Sequence, residues 1–415
     1  MSIDLIMIVL ACVVGFVMSW GVGANDLANI MSTTMGSKAI TVRQAIVIAI
    51  IFELAGALLG GADVTNTIRT GIINIAELPS VDCFIYGMLA TLLAGSVWIW
   101  TASFIGMPVS ITNAIVGSMV GFGAISLGMN AVHWHKVTLI AISWVSSPLI
   151  AGAVAFFLFN AIRASVLSRL YPVKQVKKWA PVYLFIVGVV LSEMVVIKGL
   201  DHFGVSISIY QDCAIDVVVS VLVVLFGLLV LRRIVVTDKS SHDQLVYVEK
   251  VFSVLMALTA CAMVFAHGSN DVAISVGPIA AIMGVVSHGE DLTASSPIPV
   301  WVILLGCTGV ILGFIVYGRK VIETVGSGIT ALTPSRAFAA TLSAATTVVV
   351  ATSTGIPVSA TQTLVGAVLG VGLARGIGAL NITVVRNIFL SWVVTLPVAA
   401  LLSVLFYDLI EYIAS

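Results

Sequence analysis

MSWGVGANDLAN, residues 18–29, returns 245 positions later as MVFAHGSNDVAI, residues 263–274. Each copy sets an Asn-Asp pair, Asn25-Asp26 or Asn270-Asp271, inside a polar stretch flanked by apolar residues. GMPVSITNAIVG, from Gly106, likewise returns 249 positions later as GIPVSATQTLVG, from Gly355. Between them, VTNTIRTGI from Val64 is echoed by VIETVGSGI from Val321, and beyond them Ser143-Trp144-Val145 is echoed by Ser391-Trp392-Val393. Matches in one order at nearly one shift define an internal repeat. The first half covers residues 1–163 and the second 248–415, with a linker, 164–247, that carries two further helices.

Composition sets the class. Of 415 residues, 60% are hydrophobic and 9% charged, and mean hydropathy is +1.17. A soluble domain carries roughly 25% charged residues, so this chain lacks the side chains to cover a wetted surface. Apolar runs approaching the ~20 residues of a membrane crossing recur at 5–20, 42–60, 137–159, 182–196, 215–231 and 388–406. None alternates as barrel strands do. The expected fold is therefore an all-α polytopic membrane protein of about twelve segments. Five scattered cysteines, Cys12, Cys83, Cys213, Cys261 and Cys307, have no metal or redox spacing. Formal charge is zero, with no basic block to suggest nucleic acid. Residues from 5 onward read as a retained helix rather than a signal peptide.

Charge placement orients the halves. Arg163, Arg169, Lys174, Lys177 and Lys178 form the densest basic loop, and Arg232, Arg233, Lys239 and Lys250 the next. Positive loops face the cytoplasm, and two linker helices leave and re-enter it between them, turning at Asp201 and Asp212. Both termini then lie outside the cytoplasm, and the repeat is expected to be inverted. Lys38, Arg43, Arg319, Lys320 and Arg336 fall in expected cytoplasmic turns; Arg69 and Lys136 run against the scheme.

The repeated motifs interrupt their segments. Residues 4–36 exceed one crossing and contain polar 21–29. Residues 83–127 are broken at Gly106-Met107-Pro108, matched by Gly355-Ile356-Pro357, because proline removes a donor and biases its predecessor away from helix. Broken or re-entrant helices at matching places of two halves point to a substrate site near the membrane midplane.

Asp26 and Asp271 carry the chemistry. A carboxylate in hydrocarbon costs at least about 2.5–3.5 kcal/mol, so each needs a partner or a wet cavity. Cation binding is the favoured role, with Asn25, Asn29, Asn270 and backbone carbonyls completing an oxygen shell; helix capping is the plainer alternative. Ser110, Thr112 and Asn113, with Ser359, Thr361 and Gln362, follow the proline breaks. Helix N–H groups there favour an anion, and hydroxyls and amides add donors without fixed charge. Phosphate suits such donors beside a carboxylate that accepts its P–OH proton. The bland reading is hydroxyls bonding their own helix. Glu53, in an apolar helix, is a coupling or structural residue without a charged repeat mate. His267, where the first half has Val22, is a pH-responsive or a packing residue. Glycines four apart (Gly56 and Gly60, Gly117 and Gly121, Gly309 and Gly313, Gly366 and Gly370) read as close helix contacts. His133 and His135 read as a solvent-facing turn. No Walker A, HExxH or catalytic triad pattern supports an enzyme, and no channel filter sequence is present.

Gly23–Asn29 with the following ITVRQAIVIAIIFELAGALLGG, His267–Ala273 with Gly277-Pro278, and the Pro-Val-Ser-x-Thr stretches at Pro108 and Pro357 resemble the inorganic phosphate transporter (PiT or PHO4) family. The resemblance covers both repeats. It implies symport of inorganic phosphate with Na⁺ or H⁺ by alternating access, an inverted repeat, and a homodimer in the inner membrane among its lipids. It also implies substrate contact by Asn25, Ser110, Thr112, Asn113, Asn270, Ser359, Thr361 and Gln362. The cation would be held by Asp26, Asn29, Asp271 and Glu53, with Asp26 and Asp271 as the Na⁺ ligands in a sodium-coupled carrier. No cofactor is implied beyond the transported ion. One departure stands out: the second motif has Ile274 where the first has Asn29, so an amide ligand is lost. A sulfate permease of the same fold and a passive anion channel are the alternatives.

Overall fold

Ser80 opens the helix that leads into the first proline break, its hydroxyl accepting the Cys83 N–H. That helix ends on Gly106, in the left-handed conformation at φ 73°, which glycine adopts without a Cβ clash. Met107 and Pro108 follow outside the helix, and Ser110 caps the next helix by accepting the Asn113 N–H. Ser359 repeats this cap on the Gln362 N–H. The expected break is thus a helix stop, a proline and a serine restart. Its second copy is described from Pro357; Gly355 and Ile356 fall outside the described residues.

The structure is a computed structural model that describes residues 3–74, 78–202, 204–205, 208–234, 241–288, 298–318, 321–322, 328–352 and 357–414. Within these residues the chain is helical, and pairing outside helices is one isolated bridge, Ile73 to Val132. The principal helices are α1 (Leu5–Gly36), α2 (Val42–Gly60), α3 (Val81–Ile105), α4 (Ile111–Leu127), α5 (Trp134–Leu167), α6 (Pro172–Leu200), α7 (Ile209–Leu231), α8 (Asp243–Val286) and α9 (Val300–Tyr317). They continue with α10 (Pro334–Thr352), α11 (Ala360–Arg375) and α12 (Ile382–Ala414). Nine helices among the described residues are long and apolar enough to cross a membrane, and α4 is shorter. The basic pair Arg319-Lys320, Lys239, and most of the echo that starts at Val321 lie outside the described residues.

One expectation needs correction. The polar 21–29 stretch does not interrupt α1. The helix runs through it, widened to a π turn at Gly23–Leu27. α8 widens equivalently at Gly268–Val272, and α2 at Ala49–Glu53. A π turn keeps the backbone bonded while moving one residue's side chain around the helix, and such turns concentrate at functional sites. Polar composition alone reads as a break because it does not distinguish unwinding from widening.

The halves interlock. α1 packs on α9 of the other half, and α8 on α2; α5 packs on α11, and α12 on α4. Glycine permits the approach: a Cβ at Gly23 would stand 1.7 Å from the Val310 carbonyl oxygen, and one at Gly313 1.8 Å from that of Trp20. Gly56 and Gly268 do the same for α2 and α8, where a Cβ would reach the carbonyl oxygens of Phe265 and Glu53 at 2.0 and 2.2 Å. The small-residue spacing read as packing is packing, between helices of opposite halves.

Candidate functional site

All three buried carboxylates named from the sequence sit on π turns: Asp26 on α1, Glu53 on α2 and Asp271 on α8. The proline-broken helices α4 and α11 bring their first turns to the same place. Thr361 donates its hydroxyl to the Asp26 carboxylate, and the Ile111 N–H, from the first turn of α4, bonds to Asp26 as well. Thr112 donates to the Val358 carbonyl at 2.9 Å, so each half's threonine reaches into the other half. Asp271 lies close enough to Asp26 for its charge to act there.

The Asn of each Asn-Asp pair secures its own half's break. Asn25 accepts the Val109 N–H at 3.0 Å and donates to the Met107 carbonyl at 2.9 Å and to Ser103 Oγ at 3.2 Å. Asn270 donates to the Val358 carbonyl at 2.7 Å and to Asp271 Oδ1 at 2.5 Å. Asn25 is thereby occupied with protein on both ends of its amide, which makes it a positioning residue in this conformation. Asn270 keeps its oxygen unpartnered among the described residues.

Glu53 has a partner that its sequence neighbourhood did not reveal. His267 Nδ1 lies 2.6 Å from Glu53 Oε1, and Nε2 lies 3.1 Å from Asp271 Oδ2, the second contact off the line of a hydrogen bond. One imidazole therefore bridges two carboxylates from different halves. Among the described residues no Lys or Arg pairs with Asp26, Glu53 or Asp271. Buried charge without a counter-ion is costly by several kcal/mol. The site thus requires protons or a bound cation.

The donor set suits a hard cation. Asp26 Oδ2, Glu53 Oε2, Asn29 Oδ1 and Asn270 Oδ1 are buried oxygens without a hydrogen-bond partner among the described residues. Native proteins leave few such groups unpaired, and oxygen ligands of this kind suit hard metal ions. Asn29 is fully buried with both ends of its amide unpartnered, whereas Ile274, its repeat mate, is a buried hydrocarbon. For an anion, the first turns of α4 and α11 supply backbone N–H groups beside Ser110, Thr112, Ser359 and Thr361. These side chains are at most 3% exposed, so the first turns of both helices are buried where they meet Asp26.

The sequence reading passed over a pair of hooks. Ser391 Oγ donates to the Pro108 carbonyl at 3.1 Å, and Ser143 Oγ to the Pro357 carbonyl at 3.4 Å. Each holds the other half's break. Their signal was present in the echoed Ser-Trp-Val triplets, whose partners lie more than 200 residues away.

The arrangement has counterparts. A family model described as the phosphate transporter family, PHO4, matches residues 22–403. A Haemophilus influenzae protein that bears a phosphate-permease name is 44% identical over 97% of this chain and 96% of its own. The chloroplastic inorganic phosphate transporter 2-1 of Arabidopsis thaliana is 39% identical, over 94% of this chain and 70% of its own. A solved structure described as the sodium-dependent phosphate transporter superposes with a TM-score of 0.89 at 38% identity, covering 98% of this chain and 99% of that one. With a family model matching residues 22–403, and relatives named for phosphate transport matched over nearly all of the chain, this multi-pass membrane protein is a transporter rather than an enzyme and belongs to the phosphate transporter family.

Proposed function

We propose that the chain imports inorganic phosphate together with Na⁺ by alternating access. The observation that carries this is the Asp26–Thr361 contact: a carboxylate on one half's π turn bonded to the other half's helix start, in a pocket without Lys or Arg. Cation and anion would neutralise each other there. Asp26, Asp271, Asn29 and Glu53 would hold the cation, and Ser110, Thr112, Asn113, Asn270, Ser359, Thr361 and Gln362 would face the phosphate. Because the two charges meet in one site, each ion raises affinity for the other by the same factor. The sodium dependence named for the structural relative favours Na⁺ over H⁺. Loss of the amide at Ile274 leaves the second motif one oxygen short, which supports a smaller cation load than two equal motifs would carry.

The same reading sets a homodimer in the inner membrane, with residues 1–163 and 248–415 as inverted halves and both termini outside the cytoplasm. The deciding experiment is uptake of radiolabelled phosphate into proteoliposomes with Na⁺ and pH gradients imposed separately. Accumulation under the Na⁺ gradient alone is expected. Uptake driven only by the pH gradient, or outcompeted by a tenfold excess of sulfate, overturns the assignment of ion or substrate. Currents independent of any second ion would mean a channel.

A further inference from the structure

A cavity of about 670 Å³ is lined from α5, α11 and α12 with Asn113 of α4. Its rim includes Leu149, Phe157 and Val393, which are exposed on membrane-crossing helices and therefore face the bilayer. Its inner wall holds two repeat-related pairs, Trp144 with Trp392 and Asn113 with Gln362. Each of these four carries a buried polar atom without a partner among the described residues: two indole N–H groups and two amide oxygens.

Depth makes these atoms unusual. Tryptophan in membrane proteins sits mostly at the interface, where its N–H is wet. Trp144 and Trp392 each stand ten residues after the start of their helices, Trp134 and Ile382. The last charged residues before them, Lys136 and Arg386, stand eight and six positions earlier, roughly 12 and 9 Å along the axis at 1.5 Å per residue, so both indoles lie on the apolar side of a charged first turn. An acyl chain at that depth offers neither donor nor acceptor.

We propose that this cavity binds a single-chain amphiphile from the bilayer, one whose head group is an uncharged hydroxyl or a protonated carboxyl. Such a head accepts from an indole N–H and donates to an amide oxygen at once, and its chain leaves between Leu149 and Val393. A phospholipid head is charged and stays at the membrane surface; a plain alkane leaves all four atoms unmade. Asn113 and Gln362 stand in the first turns of α4 and α11, so the head group lies against the back of the transport site. Occupancy holds those two helix starts together and slows their exchange between states.

The test uses the full chain in phosphatidylcholine vesicles, with 2-bromododecan-1-ol as quencher of tryptophan fluorescence and 2-bromododecane as its match without a hydroxyl. Saturable quenching is expected, with half-saturation at least about fivefold lower for the alcohol, the scale of one net hydrogen bond. The W144F/W392F variant loses it. Ala153→Phe, at an exposed lining position, fills the cavity and abolishes it too. Phosphate uptake should fall over the same alcohol concentrations in the parent and not in Ala153→Phe. Quenching that is unsaturable or equal for both probes means bilayer partitioning only and overturns the site. Absence of quenching, as when a second copy covers the mouth, overturns it as well, and saturable quenching with unchanged uptake overturns the link to transport. The fluorescence arm is independent of what is carried. A parent that takes up no phosphate before alcohol is added fails the proposed function instead.

Discussion

The Thr361 hydroxyl donates to the Asp26 carboxylate across 335 positions of sequence, and both groups are buried. Two halves that share no local chain are joined there by one charge-assisted bond. Such bonds contribute about 1.5–3 kcal/mol. Thr361→Val should therefore reduce Na⁺-driven phosphate uptake roughly 10- to 100-fold, and Thr361→Ser should retain most of it. Equal uptake by the valine variant would remove this contact from the mechanism.

Asp26 and Asp271 are the carboxylates that the two repeated motifs bring to the site. Asp26→Asn and Asp271→Asn are each expected to abolish coupled uptake while the protein reaches the membrane in normal amount. Immunoblotting of the membrane fraction beside the uptake assay checks both statements. Full coupled transport by both variants would mean that the carboxylates are structural.

Glu53 and His267 form a buried cross-half pair at 2.6 Å. Removing one member of such a pair strands the other, at a cost of about 3–5 kcal/mol. His267→Ala should lower stability by that order in an unfolding titration. The double variant with Glu53→Gln should lose less than the sum, by at least about 1 kcal/mol. Additive losses would show the two side chains to be uncoupled.

Ile274 stands where the first motif has Asn29. Restoring the amide, Ile274→Asn, should lower the half-saturating Na⁺ concentration about 5- to 10-fold, the value of one good polar contact, or steepen the Na⁺ dependence of uptake. An unchanged Na⁺ titration would place position 274 outside the cation shell.

Gly313 touches the Trp20 carbonyl so closely that an added methyl group would need α1 and α9 to part. Gly313→Ala should cost about 1–3 kcal/mol of stability as overpacking, read as a lowered melting temperature in detergent. A chain that melts as before would show that the interface yields.

Much of this was legible from residue order because the repeat printed each feature twice. The Asn-Asp pairs, the proline breaks and their serine caps are local patterns, and they fold as local patterns. Glu53 shows the limit: its partner His267 is 214 positions away, and no repeat mate announces it. Asn25 shows another, since residue type suggests a ligand while geometry spends its amide on Val109, Met107 and Ser103. The hooks of Ser143 and Ser391 lie between these cases, visible as an echo yet without meaning until the opposite half is present. The π turn at Gly23 is not legible from composition, because polar residues signal only that backbone geometry changes, not which way.

The interlocking of helices between halves has a consequence for biosynthesis. α1 leaves the ribosome long before α9 and α11 exist, and at about 5–20 residues per second the wait is on the order of tens of seconds. Throughout that interval Asp26 and Asn29 must be inserted without the groups that will later surround them. The newborn first half is thus an incomplete object that depends on insertion machinery, water defects or protonation for shelter. A ribosome that stalls in the linker would leave a fragment fit for degradation rather than half a carrier.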